Sequence, residues 1–222
     1  MHPGAHLVTS RFPCFDEARK VLASIPPDEW KQTWPDGPFK TDGWFVIPLA
    51  CAGKRTPFVD RHPGIGKALD YFEDPIGSAV LYSMHPGAEV HPHRDLSGTL
   101  ALGGVKYHVP LETNPGVTFQ IGRKNFSMKA GELWALNTSY IHGVQNHGES
   151  ERIHLVVQVD TGKWSLARLP RRNLRFYAHT LCFFCMILWR GVTKLLSDRN
   201  ALKLYANMVR DLRRRLFRNQ AV

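Results

Sequence analysis

The chain has 222 residues, 43% of them hydrophobic, and a formal net charge of +10; it is long enough to bury a core without staples, and one main domain with an appendage is expected rather than two equal ones. Four scattered cysteines (Cys14, Cys51, Cys182 and Cys185) exclude a disulfide framework, and the opening "MHPGAHLVTSRF" has neither the basic start nor the apolar core of a signal peptide, so a reducing, cytoplasmic setting is expected. The charge excludes a uniformly basic domain, because residues 1–165 hold 16 Lys and Arg against 17 Asp and Glu whereas residues 166–222 hold 13 against 2.

That split, with a change of texture near Trp164, predicts a domain over residues 1–165 and a basic helical extension over residues 166–222. Along the first part, helical patterns fall at residues 15–24 and 66–72. Between and after them come short apolar runs: "GWFVIPL" (43–49), "SAVLYSM" (78–84), "VKYHVPL" (105–111), "GVTFQI" (116–121), "NFSMK" (125–129), "GELWALN" (131–137) and "RIHLVVQVD" (152–160). Turn signals such as "TNPG" and "KAG" separate them, as in an antiparallel sandwich or barrel. Trp30, Trp34 and Trp44 either shape the mouth of that barrel or simply pack. The extension predicts one helix over residues 173–196 and a second over 199–218, the latter with Leu202, Tyr205, Val209, Leu212 and Leu216 at steps of three and four. Its longest apolar run, "LCFFCMILW" (181–189), is about half of the roughly 20 residues that cross a bilayer, so no spanning segment is expected.

The stretch "EVHPHRDLSG" (89–98) is where chemistry enters. On a strand, residues two apart share a face, so His93 and Asp95 can bring an imidazole and a carboxylate to one point. The common oxygen-activating arrangement adds a second histidine and leaves the remaining positions of Fe(II) open. His142, in "NTSYIHGVQN", is the best candidate for it. His85 and His91 are rivals, but no carboxylate follows either at the same spacing, and both read as structural or as neighbours that support the ligands from behind. Ten residues beyond His142, Arg152 heads an apolar strand; a guanidinium facing that interior needs a partner, and a ligand carboxylate held by two parallel hydrogen bonds would serve. His154, two residues on, is either a pocket residue or a hydrogen-bonded core histidine. Arg94 is expected at the surface, and Cys182 and Cys185 on a buried helical face.

This order of residues resembles the aspartyl/asparaginyl beta-hydroxylase family of iron and 2-oxoglutarate dependent dioxygenases. The likeness runs through "MHPGAEVHPHRD", "VKYHVPLETNPGVTF", "KAGELWALN" and "HGVQNHGESERIHLVVQVD". It implies a mainly β fold, a double-stranded beta-helix or cupin-like jelly roll, with the C-terminal helices outside it. It further implies Fe(II) on His93, Asp95 and His142, 2-oxoglutarate anchored by Arg152 with His108 assisting, and O2 as the oxidant. Lys106 stands where members often carry an arginine two residues before that histidine, which replaces a bidentate fork by a point charge. Tyr82 matches a further pocket-lining position. Since Asp95 is present, and related halogenases lose that ligand, hydroxylation is the implied outcome.

The expected substrate is an amino acid, free, in a peptide or carrier-bound. The alternatives are the acyl chain of an amino-acid lipid or of lipid A, and a catalytically silent jelly-roll binding module. For the basic tail, packing of its apolar stripe on the jelly roll is expected ahead of peripheral contact with an anionic membrane, on its inner face. Nucleic acid is not expected as a partner, because no stacking aromatics interleave with the final arginines.

Overall fold

The computed structural model describes residues 4–33 and 42–197, with side chains to residue 193. Trp34 and the second predicted tail helix lie outside the described residues. In chain order the strands are β1 (Ala5–Thr9), β2 (Lys31–Gln32), β3 (Trp44–Cys51), β4 (Lys54–Arg55), β5 (Ile76–Met84), β6 (Glu89–His93), β7 (Gly104–Glu112), β8 (Val117–Ile121), β9 (Lys124–Phe126), β10 (Leu133–Leu136), β11 (His142–Asn146) and β12 (Arg152–Asp160). The α-helices are α1 (Phe15–Leu22), α2 (Pro57–Arg61), α3 (Pro63–Asp70), α4 (Lys163–Arg168) and α5 (Leu174–Ser197).

Two antiparallel sheets result, the sandwich expected from the strand spacing and the jelly roll implied by the resemblance. The larger runs β1-β10-β7-β12-β5-β3-β2, with β4 added to β3, and the smaller runs β6-β11-β8-β9. The strand β12 is central, paired with β5 on one side and β7 on the other. Its alternation explains the whole architecture. Leu155, Val157 and Val159 face outward to a core shared with Leu81 of β5, Val105, Tyr107 and Val109 of β7, Ile65 and Leu69 of α3, and Trp164 of α4. Burying a large apolar side chain contributes about 1.5–3 kcal/mol, so this helix-covered face holds the large sheet together. The opposite face of the same strands carries Ser78, Val80, Tyr82, Lys106, His108, Arg152, Val156 and Gln158, too polar for a core, and points at the smaller sheet. A second cluster of Met84, Val90, Phe119, Ile121, Leu136 and Val144 closes the space between the sheets to one side.

Beyond the sheets, the Asp74 carboxylate accepts hydrogen bonds from the backbone N–H of Gly162 and Ser165, at 3.0 and 2.8 Å, and so holds the start of α4. Asn173 caps α5, its Oδ1 accepting from the Phe176 N–H at 3.0 Å. The α5 helix follows the predicted boundaries to within a residue, but its surroundings correct two expectations. Only Phe176, Phe183, Ile187 and Gly191 of its described side chains are buried, while Cys182 and Cys185 are exposed. Residues 174–193 also make a helix long and apolar enough to cross a membrane by length and composition. An unbroken apolar run does not reveal this, since His179, Thr180 and Arg190 bound the run while Arg175 and Arg190 are the only charged residues between 174 and 193.

Candidate metal centre

The smaller sheet places the first two histidines. His93 ends β6 and His142 begins β11, and the two are direct cross-strand partners. A bulge between His142 and Val144 re-aims the strand end, as bulges beside sites do. Gly143 permits it: a Cβ there would meet the Val90 carbonyl oxygen at 2.9 Å. Asp95 follows β6 in a loop whose own N–H donates to the Thr138 carbonyl at 3.0 Å, which ties the carboxylate to the turn before His142.

The three side chains converge. Asp95 Oδ1 lies 3.6 Å from His93 Nε2 and Asp95 Oδ2 lies 3.6 Å from His142 Nε2, and the three ligand atoms fall within 4.8 Å of one another. Each imidazole has its Nδ1 on a backbone carbonyl, His93 on His91 at 2.8 Å and His142 on Tyr140 at 3.0 Å. A carbonyl only accepts, so in the neutral ring Nδ1 carries the hydrogen and Nε2 turns a lone pair toward the carboxylate. Two imidazole lone pairs and one carboxylate on one wall of a cavity are a donor set that fits Fe(II). Burial alone would raise the Asp95 carboxyl, but His93, Lys106 and His142 together hold it well below the usual carboxylate range. Burial pushes His142 down to about 4 against the attraction of Asp95.

The cavity has a volume of about 320 Å³ and is walled by both sheets. The large sheet contributes Arg152, which is 3% exposed. Its Nη2 donates to His154 Nδ1 at 2.8 Å, its Nε has no hydrogen-bond partner, and no carboxylate among the described residues pairs with it. Burial lowers its pKa to about 9. The neighbouring His108 Nδ1 and His154 Nε2 are likewise buried without partners. A cationic, donor-rich end of this kind is complementary to a carboxylate brought by a ligand.

Lys106 is placed elsewhere than this end: its ammonium donates to Asp95 Oδ2. Tyr82 lines the cavity, stacked on Trp44 with ring centroids 5.3 Å apart. Trp30 packs instead against the apolar core. His85 pairs with Glu151 at 3.1 Å and His91 with Glu89 at 3.4 Å, both away from the three ligand atoms. Arg94 is half-buried rather than exposed and donates to the Ser139 carbonyl. That contact belongs to a cluster the sequence did not suggest. The His179 ring of α5 lies on the Tyr140 ring, centroids 3.5 Å apart, and its Nε2 meets Ser139 Oγ at 3.0 Å. The segment that carries His142 is thus braced by a helix from beyond the jelly roll.

Burial, then the nearby Arg152 charge, hold the imidazoles of His108 and His154 well below their ordinary pKa. Both are neutral in the folded state while an unfolded chain would protonate them below about pH 6.5. Stability from this pair is therefore full above that pH and drains as the pH falls toward the folded values. The melting temperature of metal-free protein should drop as the pH falls below about 6.5, and the drop should shrink in the His154→Gln variant. An identical acid profile in both would remove the assignment.

A family model described as aspartyl/asparaginyl beta-hydroxylase matches residues 15–161, more than half of the chain. Among solved structures, the chain is similar to a prolyl hydroxylase from Trichoplax adhaerens in complex with a hypoxia inducible factor oxygen degradation domain peptide fragment. The identity is 12% and the TM-score 0.50, over 75% of this chain and 88% of that one. It is also similar to HygX from Streptomyces hygroscopicus, with nickel and 2-oxoglutarate bound, at 11% identity and a TM-score of 0.49 over 72% and 82% of the two chains. A prolyl-4-hydroxylase of Pseudomonas putida is 14% identical, with a TM-score of 0.47 over 72% and 94%. At 12% identity the likeness to the Trichoplax adhaerens structure is one of fold alone.

Proposed function

Because the chain belongs to the aspartyl/asparaginyl beta-hydroxylase family of Fe(II)- and 2-oxoglutarate-dependent dioxygenases, we propose that it hydroxylates an unactivated C–H of an amino acid, free, in a peptide or carrier-bound. One observation carries the reading: a His–Asp–His cluster and an unpaired buried arginine share one cavity. The family's namesake reaction supports the choice of an amino-acid substrate.

In this reading His93, Asp95 and His142 hold Fe(II), and Arg152 takes the distal carboxylate of 2-oxoglutarate. When bound, the pair supplies oxygen activation coupled to decarboxylation, which leaves succinate, carbon dioxide and a hydroxylated substrate. The chain's own work is to hold and to exclude. The His91 and Tyr140 carbonyls fix the two ligand tautomers, an arrangement typical of outer partners in metal sites. Lys106 balances one oxygen of Asp95 and keeps the carboxylate aimed at the histidines. His154 orients Arg152 through its Nδ1, and His108 and Tyr82 line the wall beside it. Val80, Phe119, Val144 and Val156 keep water away from the reacting end of the cavity.

The reaction is tested by incubating the purified chain with Fe(II), 2-oxoglutarate, ascorbate and a panel of free amino acids and Asp- or Asn-containing peptides. Mass spectrometry should find one oxygen atom added to a panel member, with succinate formed in step. Succinate formation stimulated only by acyl lipids would overturn the substrate class. No succinate under any condition would mark a silent binding module.

A further inference from the structure

From the outward face of α5 we infer a docking surface for an anionic phospholipid bilayer, on which the helix lies with its apolar stripe in the acyl-headgroup boundary. The surface goes beyond the proposed reaction and does not depend on it. Soluble helices turn one apolar face inward and a polar face to water. The α5 helix is apolar on both. Its buried side is Phe176, Phe183 and Ile187. On the other side Leu174, Tyr177, Leu181, Cys185, Leu188 and Val192 follow one another at steps of three and four and form one continuous exposed line. Leu174 is 84% exposed, Leu181 and Leu188 are each 66% exposed, and Trp189 beside them is 72% exposed. A contiguous apolar line of this length on a protein surface marks an interaction face.

The occupant is argued from charge. Arg171 and Arg172 just precede α5, Arg175 lies in its first turn and Arg190 and Lys194 near its end, and residues 166–222 hold 13 Lys and Arg against 2 Asp and Glu. An apolar stripe flanked by basic residues, with Tyr177 and Trp189 on it, is complementary to a hydrocarbon edge beneath anionic headgroups. A helix lying in that plane also suits its anchoring. His179 is stacked on Tyr140 and bonded to Ser139, so the first turns of α5 stay bound to the jelly roll and cannot be surrounded by lipid. Two exposed apolar residues lie next to the metal cluster, Leu96 after Asp95 and Ile141 before His142, and Ile141 directly follows the Ser139 and Tyr140 pair that this helix braces. Docking would therefore hold the cavity rim beside the bilayer.

The full chain is mixed with phosphatidylcholine vesicles, with and without phosphatidylglycerol, and sedimented. It should pellet with the phosphatidylglycerol vesicles, and less so as salt shortens the Debye length. The double variant Leu181→Glu/Leu188→Glu removes two exposed side chains from the stripe, and its partition should fall about a hundredfold or more. Its melting temperature and Fe(II) content should match the parent. Three results would each sink the proposal: equal pelleting of parent and variant, a parent that never pellets but runs as a dimer the variant abolishes, or a variant that melts far below the parent because the stripe is an internal contact.

Discussion

Fe(II) bound to the His93→Ala and His142→Ala variants should fall below detection after dialysis, while both keep the secondary structure of the parent. Removing an outer partner of a metal ligand costs about 10- to 100-fold in metal affinity, so removing one of three ligands should cost more than the upper end of that range. The fold should survive because neither histidine belongs to either apolar cluster. His93 and His142 are tied to the sheet through β6 and β11, whose backbone ladder does not need the rings. His85→Ala and His91→Ala supply the contrast. Their rings pair with Glu151 and Glu89, so both variants should bind iron as the parent does. Metal analysis of the four proteins decides it; normal iron in both His93→Ala and His142→Ala would remove the centre.

Why the sequence gives away the ligands but not their bracing is a matter of range. His93 and Asp95 are two apart, and Arg152 opens a strand whose alternation is so regular that the structure bounds it at the expected residues, Arg152–Asp160. The strands β1 and β11 are not among the runs read from the sequence, although the second histidine is expected on a distant strand facing the first. "HLVT" is a run of four with only two apolar residues, too short to show a period, and "HGVQN" alternates poorly because its first residues serve the site rather than the core. That His93 and His142 face one another is set by a cross-strand register between segments about fifty residues apart, which no local pattern encodes. The His179 contact depends on where α5 docks, and a helix apolar on all sides gives no clue to which face that will be. The same ambiguity made Cys182 and Cys185 look buried. Arg94 alternates away from His93 and Asp95 on an ideal strand, but β6 ends at His93, and the chain turns there enough for the guanidinium to reach Ser139.

Replacing Arg152 should separate cosubstrate binding from metal binding and from stability. Loss of a buried, bidentate, charge-assisted contact costs about 2–5 kcal/mol, so the Kd for 2-oxoglutarate should rise by roughly thirtyfold to several thousandfold in Arg152→Met. The iron content should stay normal, because Arg152 is no part of the His93, Asp95 and His142 cluster. Arg152→Lys keeps the charge without the fork and should fall between the two. Stability should move the other way. Without a bound carboxylate, Arg152 is a buried cation with an unpartnered Nε, and filling its place with an apolar side chain of similar length removes that desolvation cost. The cosubstrate-free Arg152→Met protein should therefore melt no lower than the parent, and higher if His154 repacks. Added 2-oxoglutarate should raise the melting temperature of the iron-loaded parent by mass action and leave the variant unmoved. If the variant melts well below the parent and still binds 2-oxoglutarate with parental affinity, Arg152 is a structural residue and the carboxylate anchor lies elsewhere on the cavity wall.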